Sequence, residues 1–182
     1  IYFKIDFLSE DTLQPMESCR LNNSFDKSIN QQDFNYIKFQ GFSPWGKFIR
    51  RNIVIQNNIR FQEVRWSNDA WFSACAAIHA ASVKCVPEPI YCYLSRKGSL
   101  MKNTSLQALE CRFDVAYVIE KMFLENKVEK YSDKHLAYWW FLILKKFPLK
   151  GIIKTPKVLS IYGLTSTVRL LMVNFYHHVL NR

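Results

Sequence analysis

The strongest constraint on this 182-residue chain is the passage, near its middle, from a polar turn into a helix of small residues. Ser67-Asn68-Asp69 opens a segment in which Ala70/Trp71, Ala74/Cys75, Ile78 and Ala81 recur at the helical period. Ser67 is a residue type that caps helices, so the spacing predicts a helix from Asn68 to about Ala81. Small side chains on that face predict close packing on a sheet. Two short apolar runs follow, Val83–Val86 and Ile90–Leu94, separated by Pro87-Glu88-Pro89. They read as strand, turn, strand. Helix, strand, turn and strand in this order predict an α/β or α+β layer.

The flanks fill out that layer. Residues 1–8 are β-branched and aromatic and predict a strand. Residues 9–32 are polar without clear periodicity and read as a loop with one short helical turn. Residues 33–40 suit a short helix or a strand equally. Ser43-Pro44-Trp45 signals a turn or short helix, Lys47-Phe48-Ile49 a short strand, and Arg51 to Asn57 a helix ended by Asn57-Asn58. Thr104 and Gln107 form a capping box for a helix from about Ser105 to Glu125, whose buried face includes Glu120. A second helix is expected from about Asp133 to Phe147, stopped by Pro148. A third should run from about Thr155 or Leu164 to the C-terminus, with Gly163 as a break. The chain divides on this reading into 1–102, an α/β part, and 103–182, a helical extension.

Bulk properties narrow the classes. Apolar content of 49% and charged content of 22% suit a globular protein. The first residue, Ile1, is not Met and opens in mid-pattern, so the chain reads as a piece of a longer protein. Five cysteines without a C-x-x-C pair, mostly among apolar neighbours, read as reduced, mainly buried thiols of a cytoplasmic protein. The longest apolar run, Leu136 to Leu144, is nine residues, against the roughly 20 that a membrane-crossing helix needs. Net charge is +10, and from Lys134 to Arg182 there are eight Lys or Arg and no acid. That segment reads either as the solvated surface of a basic protein or as a surface for anionic lipid headgroups. Trp139, Trp140 and Phe141 suit an interfacial helix or a buried one. Nucleic acid is disfavoured, because the basic residues are scattered and no binding motif accompanies them.

Asp69 is the leading candidate for chemistry. An acid in the first turn of a helix is stabilised as the anion by the helix dipole, and that role alone is the simplest account of it. Around it in sequence, however, lie Trp45, Lys47, Trp66, Trp71, Tyr91, Tyr93 and Arg96, a set suited to stacking on sugar rings. His79, among alanines, reads as a packed histidine, and His177-His178 lack the acidic partners of a metal site.

Five elements in order carry a resemblance: Trp45-Gly46-Lys47, Asn57-Asn58-Ile59-Arg60-Phe61, Asn68-Asp69, Pro89-Ile90-Tyr91-Cys92-Tyr93 and Arg96-Lys97-Gly98-Ser99. Residues 42–102 thereby resemble the C-terminal half of bacterial family 2 glycosyltransferases, which build capsular and cell-surface polysaccharide. The resemblance implies a GT-A-type fold and inverting transfer from a nucleotide-diphospho-sugar to a saccharide or lipid-linked acceptor. Asp69 matches the family's catalytic base. Trp45, Lys47, Asn68, Trp71, Tyr93, Arg96 and Ser99 would line the acceptor or donor, with Lys47, Arg96 and Ser99 near the diphosphate. Two positions depart from the pattern: Asn68 replaces the first acid of a Glu-Asp pair, and Leu94 stands where Arg is frequent. The family's metal-binding Asp-x-Asp is absent, so the resemblance implies a divalent ion, Mg or Mn, held by an N-terminal half outside this chain. A cytoplasmic location, or a peripheral one at the inner membrane face, is compatible with this reading, because such acceptors are often lipid-linked there. The competing reading is a non-catalytic basic helical module that binds a membrane surface or a protein partner.

Overall fold

The structure, a computed structural model, describes residues 1–16, 19–96 and 98–177, with the backbone only of Met101. Lys97, His178 and the final residues of the expected third helix therefore lie outside the described residues. The fold is α+β: short strands and predominant helix, arranged as two compact units. The first unit comprises residues 1–64 and 68–103, the second 65–67 and 104–182.

In the first unit, β1 (Tyr2–Phe3) pairs in parallel with β3 (Cys85–Val86), and β2 (Asp6–Ser9) with β4 (Cys92–Ser95). The gap between β1 and β2 has a local cause. Ile5 N–H donates to Asn22 Oδ1 at 3.1 Å, and Asn22 Nδ2 donates to the Ile5 carbonyl at 2.9 Å. One amide side chain thus takes the place of a neighbouring strand. On the other edge of β1, Phe3 N–H donates to the Gly46 carbonyl at 2.9 Å and Phe48 N–H to the Ile1 carbonyl at 2.9 Å. This places Lys47 opposite Tyr2 in an antiparallel bridge.

Asn22 belongs to α1 (Arg20–Asn30), in the stretch the sequence read as a loop. The helix was obscured by its own buried face, where Ser24 and Ser28 stand beside Leu21 and Phe25. Those serines are satisfied by α2 (Asn35–Gln40): Ser28 Oγ accepts Ile37 N–H at 2.8 Å, and Ser24 Oγ donates to Gln40 Oε1 at 3.1 Å. The open choice for residues 33–40 is thereby resolved as helix. Tyr2, Ile5, Leu21, Phe25 and Ile37 form the core of this unit. Each large apolar side chain so buried contributes about 1.5–3 kcal/mol.

α3 (Arg51–Gln56) ends at the expected pair, with Asn58 in the left-handed region at φ 46°. α4 (Asn68–His79) forms where the small-residue pattern placed it, but its start and its packing differ from expectation. Ser67 sits at φ 61°, outside the extended conformation of a helix cap. Instead, Asn68 Oδ1 accepts the Asp69 N–H at 2.8 Å. The buried face is Ser73, Ala74, Ala76 and Ala77, and its principal neighbours are α2 and α3 rather than the strands. Phe72 stacks on Phe61 with centroids 4.3 Å apart and planes 3° from parallel, which ties the Asn-Asn-Ile-x-Phe segment to α4. His79 is exposed, because it falls opposite the alanine face. The cysteines are free; Cys19, Cys75, Cys85 and Cys111 are only half-buried and Cys92 is exposed, not the mainly buried set expected.

The second unit is built from α5 (Leu106–Glu125), α6 (His135–Lys146) and α7 (Pro148–Phe175). Its core is Leu109, Phe113, Ala116, Leu136, Trp140, Ile143 and Val158. The α5 cap is Ser105, whose Oγ accepts Ala108 N–H at 3.3 Å; Thr104, the expected cap, accepts from Lys146 Nζ. Ser132 Oγ donates to Oε1 of buried Glu120, and burial raises its carboxyl above the ordinary range. Trp140 and Phe141 are buried, so α6 is a bundle helix and not an interfacial one. Pro148 does not merely stop α6. It occupies the first turn of α7, where a missing N–H costs nothing. α7 therefore begins earlier than expected, continues past Pro156 and kinks at Gly163. By length and composition, this one described helix is long and apolar enough to cross a membrane, which the nine-residue run did not reveal.

Candidate functional site

The site in the first unit starts with the backbone of Gly46. Its φ of +71° is costly for other residues, and a Cβ there would stand 2.9 Å from Ile5 Cγ2. Glycine lets the chain turn sharply against the core while presenting Trp45 on one side and Lys47 on the other. The indole of Trp45 lies flat on Tyr91, at 5.2 Å and 9°, and meets Tyr93 at 5.3 Å and 34°. Tyr93 in turn stacks on Phe7 of β2 at 5.3 Å and 27°. Register explains this tier. Tyr93 pairs with Phe7 across the parallel strands, and Tyr91 and Tyr93, two residues apart, project to one face.

Lys47 turns inward. Only 8% of it is exposed, its Nζ donates to the Gly41 carbonyl, and the ammonium lies 5.0 Å from the centroid of Tyr2. Burial lowers its pKa to about 7, offset in part by the negative charge of Asp69. Asp69, in the first turn of α4, accepts Ala70 N–H on Oδ1 at 3.0 Å. Burial raises its pKa, while the backbone N–H groups and Lys47 act in the opposite sense. The net direction is upward, so the carboxylate is more basic than a solvent-exposed Asp. A helix N-terminus alone would have made it weaker.

Trp45, Lys47, Asp69 and Tyr93 thus come from a turn, a bridge, a helix start and a strand of one unit. Asn68 serves by holding the Asp69 N–H. The structure does not tie the remaining candidates to this group. Trp71 is half-buried two residues beyond Asp69, about 200° round the helix. Arg96 is exposed beyond β4. Ser99 begins a 3-10 turn, its carbonyl accepting Lys102 N–H at 2.9 Å. Trp66 belongs to the second unit, where its carbonyl accepts the Cys111 thiol. Tyr91 stood in the aromatic set that the sequence placed around Asp69, whereas Phe7 was not among the candidates. The Tyr-x-Tyr alternation was a signal for Tyr91, but nothing local announced Phe7, whose role depends on strand register.

Among the described residues no three His, Cys, Asp or Glu side chains converge to hold a metal ion. The divalent ion that the family resemblance implies was expected outside this chain, and no chemistry here is routed through one. No protein-family model, no curated protein and no solved structure gives a significant match to this chain.

Proposed function

We propose that this chain is the acceptor-side part of an inverting glycosyltransferase of GT-A type, with Asp69 as the general base. The reading rests on the electrostatic interaction of Asp69 with buried Lys47, in a unit that also carries the Trp45–Tyr91–Tyr93 tier. The aromatic faces suit the apolar face of a pyranose ring, and the carboxylate suits its hydroxyl. Ala70 N–H engages Oδ1, and in the proposed step Oδ2 meets the acceptor hydroxyl. As that oxygen attacks the anomeric carbon of a nucleotide-diphospho-sugar, its proton passes to Asp69. The bond to the leaving diphosphate breaks, and the configuration inverts. Below its own pKa of about 7, protonated Lys47 favours the ionised form of Asp69. The donor, a divalent ion and their binding groups belong to a part of the protein outside these residues.

The test is Asp69→Asn in the longer protein, assayed by sugar transfer. Loss of a general base lowers turnover by about 10²–10⁴. A fall of less than about tenfold, with the fold intact, removes Asp69 from that role. For the wild type, activity should decline as pH falls through the raised pKa of Asp69, because the protonated acid accepts nothing. The chain alone is expected to show no transfer, and measurable turnover by it would contradict the assignment of the donor half elsewhere.

A further inference from the structure

α7 carries two apolar patches that the second unit leaves uncovered. Before the kink these are Leu149, Ile152 and Ile153, exposed by 78%, 60% and 71%. After it come Leu164, Val168 and Met172, spaced by four so that they share one side of the helix. Exposed lysines flank the first patch: Lys145 and Lys146 at the end of α6, and Lys150 within α7. From residue 135 onward the sequence contains no acid at all. We propose that this surface of α7 docks, in the plane of the interface, on an anionic lipid bilayer.

Charge selects the occupant. Apolar residues set among like-signed lysines complement a negatively charged headgroup layer above acyl chains. A second copy of the same face would instead bring lysines against lysines. The in-plane arrangement follows from how α7 is held. Its 28 residues would reach about 42 Å if straight, enough for a bilayer core of about 30 Å. The helix is not straight, because Gly163 adopts φ 71° and ψ 171°. Its first half is fastened to the bundle. Gly151 and Val158 are buried, Lys157 pairs with Asp114 of α5 at 3.0 Å, and Lys154 reaches Glu110 and Asp114 at 3.7 Å. The described stretch beyond the kink, Leu164 to Phe175, is about 18 Å long.

This inference stands apart from the transfer reading and does not test Asp69. The experiment is cosedimentation of the chain with vesicles of phosphatidylcholine alone, or of phosphatidylcholine with about a third phosphatidylglycerol. Binding to the anionic vesicles is expected, with release when salt is raised from about 0.1 M to about 1 M, which shortens the screening length about threefold. Lys145→Gln with Lys150→Gln should weaken binding about twenty-five-fold, at about fivefold per charge. Leu164→Ser with Met172→Ser should weaken it at least about tenfold. Both pairs are exposed, and circular dichroism confirms that each variant is folded. Equal pelleting with neutral vesicles, pelleting that survives high salt, or no pelleting would each overturn the proposal. So would a dimer in solution that the same serine variants dissociate without any effect on vesicles.

Discussion

At the scale of single residues, the informative pair is Lys47 and Asp69. A lysine that is 8% exposed costs stability unless something requires it there. The free amine pKa of 10.5 falls to about 7 in the folded chain. Between these values the unfolded chain binds the proton and the folded chain does not, so stability rises with pH across that window. Below about pH 7 both states are protonated and the whole penalty is present. Lys47→Met is therefore expected to stabilise the protein, and by about 2 to 3 kcal/mol more at pH 6 than at pH 9. Denaturant titrations at the two pH values measure this. An equal gain at both would show that Lys47 is not a buried, titrating charge. The same substitution leaves Asp69 without its cation, so its pKa should move further up and the acid limb of the transfer profile should shift to higher pH.

At the scale of elements, the contact of α6 with α7 rests on an absent side chain. A Cβ on Gly151 would lie 2.6 Å from Leu144 Cα, a backbone atom that cannot swing away. The close approach also lets Trp140 Nε1 reach the Gly151 carbonyl at 3.0 Å. Gly151→Ala should force the two helices apart and destabilise the second unit by about 1–3 kcal/mol, as overpacking does. Thermal unfolding checks this, and a neutral result would mean that α6 and α7 do not approach so closely. Elements also show where local sequence signals hold. The small-residue period located α4, and the paired asparagines located the end of α3. Caps were less secure. Ser67 and Thr104 have the right chemistry, yet Asn68 and Ser105 make the bonds, because the entering chain sets which residue can turn its oxygen inward.

At the scale of the whole molecule, each unit has its own hydrophobic cluster, around Phe25 in the first and Phe113 in the second. Lys47 and Gly151 fall in different units. Their effects are expected to be independent, so the double variant Lys47→Met/Gly151→Ala should differ from wild type by the sum of the single changes, within about 0.5 kcal/mol. A larger discrepancy in equilibrium unfolding would show that the two clusters are energetically linked. The sequence by itself narrowed the class to α/β or α+β and determined the α4 segment, the long α5 helix and the turn around Gly46, since each rests on periodicity or backbone chemistry within a few residues. Only the tertiary structure decided that Lys47 is buried and coupled to Asp69, and that Phe7 joins the aromatic tier. It also turned a polar stretch into α1 and left the apolar patches of α7 uncovered. The physical reason is the same throughout: burial, strand register and electrostatic coupling depend on residues far apart in the chain, such as Tyr2 and Lys47 or Phe7 and Tyr93, which no local pattern brings together.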